Sequence, residues 1–153
     1  MASPLYFEDL AVGQTFTTTS RQVSAGEIRA FAEQFDPQPF HLDEQAARAT
    51  IFAGLAASGW HTAALVMRLI VEAGPPLAGG VIGSGIDELR WLRPVRPGDT
   101  LHVRLEVLET RPSTARPTQG RVRMRNTAIA QDGEPVMTFI ANLLLPRRQP
   151  PSP

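Results

Sequence analysis

Residues 55–71 make up the most apolar stretch of the chain, and they leave few folds open. The stretch is interrupted by His61 and Arg68 and stops at Pro75-Pro76, so it is too short and too polar to cross a bilayer. Ser58 stands where a helix N-cap belongs, just ahead of Gly59. In the helix that follows, almost every position is apolar except His61, Thr62, Arg68 and Glu72. His61, Arg68 and Glu72 fall on one side, with Arg68 and Glu72 at i, i+4, which predicts one exposed or partner-facing stripe and an otherwise enclosed circumference. A helix buried that far round must be wrapped by other elements.

The second half of the chain has the pattern to do the wrapping. Leu101, Val103, Leu105 and Val107 alternate with His102, Arg104, Glu106 and Leu108, the period of a half-buried strand. Arg121, Arg123 and Arg125 alternate in the same way with Val122, Met124 and Asn126, and Asp132-Gly133 marks a tight hairpin before a last strand over residues 134–145. Residues 81–95 also read as strand. The glycines at 79, 80, 83 and 85 belong to its approach, since Gly83-Ser84-Gly85 lacks both the G-x-G-x-x-G continuation and a Lys-Ser/Thr pair for phosphate. Residues 110–120, with Pro112, Pro117 and Gly120, read as a long connection outside the core. Upstream, residues 14–23 are rich in Thr with Phe16 and Val23 and predict a single strand. Helices segregated from a run of strands give an α+β class, an antiparallel sheet curled around one apolar helix.

Between the first strand and the long helix lies the chemistry. Ser24-Ala25-Gly26-Glu27 has capping-box spacing, and Ile28, Phe31, Ala32 and Phe35 form one apolar stripe of a helix that must end before Pro37. Pro37 and Pro39 lack N–H groups and bias Asp36 and Gln38 toward extended geometry, so residues 35–43 read as stiff and non-helical. A local bend there aims Asp36 and His41 at one point, as a water-activating acid/base pair requires. The same residue types also serve as a turn-opening Asp-Pro and a packed structural histidine. Asp43 fits the N-cap of a short helix over residues 44–48. Gly59, at the start of the long helix, offers an unpaired N–H and the positive end of the helix dipole to an oxygen that becomes negative.

Composition narrows the partners. Fifteen basic and fifteen acidic residues cancel, so no global field draws the chain to nucleic acid or to an anionic membrane. There is no cysteine, and the three histidines are scattered, so no metal site is expected. Residues 1–9 contain Glu8 and Asp9 and do not read as a signal peptide, which implies a cytoplasmic protein. A length of 153 residues suits one domain, placed at residues 1–145, with residues 146–153 as a disordered Pro/Arg tail.

Asp36, Pro39, Phe40, His41 and Asp43, in that order, resemble the hydratase motif of MaoC-like dehydratases, the (R)-specific enoyl-CoA hydratases. Gln38 occupies the position where that family usually has Asn. The resemblance extends to Ala57-Ser58-Gly59-Trp60 and to Arg93-Pro94-Val95-Arg96-Pro97-Gly98-Asp99, and spans roughly residues 7–145. It implies a hotdog fold, a homodimer or higher homo-oligomer with sheets paired edge to edge, and an acyl-CoA substrate handled without cofactor or metal. It further implies that Asp36 and His41 are the catalytic pair, that Gly59 N–H is the oxyanion donor and that Gln38 supports the loop. The reaction implied is reversible hydration of a trans-2-enoyl-CoA to a 3-hydroxyacyl-CoA. The alternatives are a hotdog thioesterase, which would use a carboxylate on the long helix where only Glu72 stands, far along it, and a non-catalytic acyl-CoA-binding protein. The chain also departs from the family at Met67, where a family hydratase carries Ser on the long helix. Arg90, Arg93 and Arg96, or the Arg121, Arg123 and Arg125 face, are the candidates for meeting the CoA phosphates.

Overall fold

The computed structural model describes residues 2–148. In chain order these form β1 (Thr15–Thr17), β2 (Arg21–Gln22), α1 (Ala25–Phe35), α2 (Pro39–Leu42), α3 (Glu44–Arg48), α4 (Gly59–Ala73), β3 (Ile82–Trp91), β4 (Thr100–Pro112), β5 (Gln119–Ile129) and β6 (Pro135–Pro146). The strands pair antiparallel in the order β1-β4-β5-β6-β3, and β2 joins β4 as well. On β4 the alternation holds: Leu101, Val103, Leu105 and Val107 are buried and face the same core as Leu65, Val66, Leu69 and Ile70 of α4. Each such side chain contributes about 1.5–3 kcal/mol on full burial, so packing against the sheet, more than helix propensity, holds α4 in place. The opposite face carries charge, with Glu106 directly across from Arg125 and Glu109 across from Arg123.

Three expectations are corrected. The strand predicted over residues 14–23 is broken into β1 and β2 by Thr18, whose buried hydroxyl accepts from Val103 N–H while its own N–H donates to Val103 O. Thr18 thus takes β4 as its partner through a side chain as well as the backbone. Residues 110–120 are strand only at their two ends, where β4 and β5 continue with Arg111 across from Arg121 and Pro112 across from Gly120, so the connection shortens to residues 113–118. Pro112 is tolerated because it closes the ladder, and Gly120 is required because the Phe7 ring occupies the space a side chain would need. The tail begins later than predicted. Strand β6 runs to Pro146, Arg147 N–H donates to Thr118 O, and Arg147 and Arg148 pair with Glu8 and Asp9 at 3.2 and 2.6 Å. The rest of the predicted tail, residues 149–153, lies outside the described residues.

Candidate active site

The site is assembled where α1 ends and α4 begins. Helix α1 starts with the predicted capping box, Ser24 Oγ accepting from Glu27 N–H at 3.1 Å and Glu27 returning to Ser24 N–H. It ends at Phe35, and Asp36 leaves the helix with φ −154° and ψ 65° while its N–H still reaches Ala32 O. The segment predicted to be non-helical then makes one helical turn, α2, which contains His41. Pro39 permits this because it occupies the first helical position, where an N–H would have no partner in the helix anyway. The turn folds His41 back toward Asp36, which an extended chain would not do.

His41 is buried and held at both ring nitrogens. Nδ1 lies 2.6 Å from Ala56 O, and Nε2 lies 3.3 Å from Asp36 Oδ2. A carbonyl only accepts, so Nδ1 carries the hydrogen and the neutral ring presents a lone pair at Nε2. That lone pair faces a carboxylate oxygen. A single donor with two hydrogens, such as a water, can serve both acceptors at once. Burial works to raise the Asp36 carboxyl, but hydrogen bonds from the Ser58 hydroxyl and the Gln38 amide, with the nearby imidazole, outweigh it and hold Asp36 below the usual carboxylate range. The Gln38 Nε2–H donates to Asp36 Oδ1 at 2.6 Å, so the longer amide still reaches the acid.

Ser58 is fully buried and does two things. It caps α4, accepting from Trp60 N–H at 3.3 Å, and its hydroxyl stabilises Asp36. The sequence signals only the cap. Beside it, Gly59 opens α4, and its N–H has no hydrogen-bond partner among the described residues. Trp91, from the end of β3, lies against Gly59 and donates its Nε1–H to Gly59 O at 2.9 Å. Trp60 packs on it edge to face at 5.1 Å. Asp36, Gln38, His41 and Gly59 all line one cavity of about 560 Å³, whose apolar walls include Phe40, Phe52, Trp60 and Trp91. The structure therefore brings together all four residues singled out from sequence and adds Ser58 and Trp91.

The arginine candidates separate. Arg93 is committed to Asp132 through two hydrogen bonds of 2.7 and 2.9 Å, and Arg123 to Asp87 and Asn142. Arg96 spends its guanidinium on backbone carbonyls. Arg90, Arg121 and Arg125 make no ion pair among the described residues. Met67 stands at the exposed flank of α4, beside a small apolar cavity and away from the Asp36/His41 pocket. Among the described residues no group of three or more acidic or His side chains could hold a metal, and no helix is long and apolar enough to cross a membrane.

An antiparallel sheet wrapped around one helix is the hotdog architecture, α+β in class, and here an acid/imidazole pair sits at that helix's N-terminal end. Within it the chain belongs to the MaoC-like dehydratase family, matching the MaoC like domain over residues 8–130. A MaoC-like dehydratase from Rhodospirillum rubrum is similar in structure, with 52% identity, a TM-score of 0.92, and coverage of 95% of this chain and 99% of that one. The 3-hydroxybutyryl-CoA dehydratase of Methylorubrum extorquens is 34% identical over 131 residues, 85% of this chain and 81% of that protein. The (R)-hydratase PhaJ1 of Pseudomonas aeruginosa superposes with a TM-score of 0.76 at 30% identity, covering 98% of this chain and 96% of that one.

Proposed function

We propose that this protein reversibly hydrates a trans-2-enoyl-CoA, or a related acyl thioester, to the 3-hydroxyacyl thioester. The observation that carries the reading is the aim of His41: Nδ1 tied to Ala56 O, Nε2 turned to an ionised Asp36, beside the unpaired N–H of Gly59. The likeness to a 3-hydroxybutyryl-CoA dehydratase and an (R)-hydratase supports the substrate class. A water held between Nε2 and Asp36 adds its oxygen to C3 while one of its protons passes to the pair. The electron pair of the double bond moves toward the thioester oxygen, which accepts from Gly59 N–H. The pair then returns a proton to C2, so that one water has been added across the double bond and neither metal nor cofactor is consumed. The acid/base pair is expected to supply about 10²–10⁴-fold and the oxyanion donor about 10²–10³-fold. The working unit is a homodimer, and the protein acts in the cytoplasm.

Crotonyl-CoA hydration, followed as loss of enoyl absorbance with free CoA assayed in the same samples, tests the proposal. Wild type should consume the enoyl group without releasing CoA, and Asp36→Asn and His41→Ala should each lose at least about 10²-fold in kcat while keeping the fold. Near-wild-type turnover in either variant would remove that residue from the mechanism. Release of CoA would instead favour thioester hydrolysis, for which Glu72 is poorly placed, exposed on α4 and bonded to Arg68 at 2.8 Å.

A further inference from the structure

We infer that Arg96, with Glu44 opposite it, is a positioning residue that sets the orientation of His41 through the backbone of residues 52–56. The inference rests on the hydratase reading for its kinetic consequence but not for its structural one. Residues 54–57 are buried although they belong to no helix or strand, so their backbone groups need partners. Arg96 supplies them for the carbonyls: Nη1 donates to Gly54 O at 2.8 Å and to Leu55 O at 3.3 Å, and Nη2 donates to Phe52 O. Glu44 supplies the other sign, accepting from Leu55 N–H at 2.9 Å. The next residue is Ala56, whose carbonyl receives His41 Nδ1–H and whose N–H donates to Phe40 O.

The turn that presents Arg96 is itself closed, Asp99 Oδ2 accepting from Arg96 N–H at 2.8 Å and Asp99 N–H donating to Arg96 O. The Arg96-Pro97-Gly98-Asp99 motif is thereby explained as the mount of a clamp, its guanidinium engaged with three backbone carbonyls. A lysine keeps the charge but not the fork that spans several carbonyls. If the loop relaxes, Ala56 O moves off Nδ1, and the imidazole loses both its tautomer and its aim. Misplacement of a catalytic group by about 1 Å is enough to cost about 10²-fold.

The test uses Arg96→Lys and Glu44→Ala, the latter at a half-exposed side chain whose loss leaves the core intact. Histidine ¹⁵N spectra of the substrate-free protein report the His41 tautomer, and steady-state kinetics on crotonyl-CoA report the consequence. The expected result is a mixed or exchange-broadened His41 tautomer in both variants, with kcat down about 10²-fold for Arg96→Lys, less for Glu44→Ala, and KM changed by less than about threefold. A wild-type His41 spectrum and kcat in Glu44→Ala, or in folded Arg96→Lys, overturns the inference. If the wild type hydrates no enoyl thioester while the variants still alter the His41 tautomer, the positioning role stands and the hydratase reading falls.

Discussion

Gly59 is where backbone, packing and chemistry meet most closely. A Cβ built there would lie 2.5 Å from Trp91 Cε2 and 2.8 Å from Nε1, well inside contact distance. At the first turn of a helix alanine is otherwise preferred to glycine by up to about 1 kcal/mol, so propensity alone makes Gly59→Ala neutral or stabilising. The Trp91 ring reverses that sign, because an overpacked methyl costs about 1–3 kcal/mol and forces the indole off Gly59 O. Gly59→Ala should therefore lower the melting temperature and kcat, and Trp91→Ala in the same chain should restore the melting temperature to that of Trp91→Ala alone or above it. Additive losses in thermal unfolding of the two single variants and the double would mean that Trp91 is not what excludes a side chain at 59. The sequence marks Gly59 as a helix start with room for an oxyanion, but the indole that fills part of that room comes from a residue 32 positions away.

Helix α4 shows why some features were legible and others were not. Its cap, its length and the core face of Leu65, Val66, Leu69 and Ile70 are local properties of residues 58–73 and came out as read. The rest of the circumference is not enclosed as expected, since Trp60, Met67 and Val71 are 42–65% exposed. Nor did the polar stripe come out as read. His61 shares a side with the exposed Arg68 and Glu72, yet it is buried, stacked on Phe31 at 4.9 Å and 14°, because α1 covers the first turns of α4 and leaves the later ones open. Helical periodicity gives an angle around an axis, not the neighbour that arrives there. The helical turn at α2 was hidden for the same kind of reason, since the proline rule removes most helices but permits one that starts at the proline. His61 carries a consequence: its Nδ1 is buried without a hydrogen-bond partner among the described residues, and Glu27 and Arg21 are charged groups near it. Desolvation lowers the pKa of His61 from 6.5, with Arg21 adding to this and Glu27 opposing it. The unfolded chain therefore binds this proton at higher pH than the native chain does, so stability is full above about pH 6.5 and falls as pH drops toward the native value. His61→Leu should flatten the melting temperature between about pH 7 and pH 5 relative to wild type and should exceed it at the acid end, where the charged imidazole is disfavoured. Parallel melting curves for the two proteins across that range would remove His61 as the source.

At the scale of the molecule, the sheet ends in two edges of unequal length, the three-residue β1 and the ten-residue β3. Strand β3 bonds to β6 along one edge, and no described strand takes its other edge. Its apolar residues Ile82, Ile86 and Trp91 are 44–51% exposed, and Trp60, Met67 and Val71 of α4 continue the same kind of surface at 42–65%. Exposed edge strands invite pairing, and proteins that stay monomeric blunt them with charge, proline or a cover. The β3 edge keeps its apolar residues uncovered, and Asp87 and Arg90 are its only charges besides Glu88 at the bulge. A second copy of the chain, laid antiparallel along β3, satisfies the edge and covers the α4 flank in one step, and the edge-to-edge dimer implied by the family resemblance has the same form. Such an interface is expected to bury on the order of 800 Å² or more per partner, with its apolar centre carrying most of the affinity. Ile86→Lys places a charge at that centre without touching the core, since Ile86 is 49% exposed in the single chain. In sedimentation at micromolar concentration, wild type should run at twice the 16.7 kDa of the chain and Ile86→Lys at the monomer mass, with an unchanged far-ultraviolet spectrum. A monomeric wild type, or a dimer indifferent to the lysine, would place the assembly surface elsewhere than on β3.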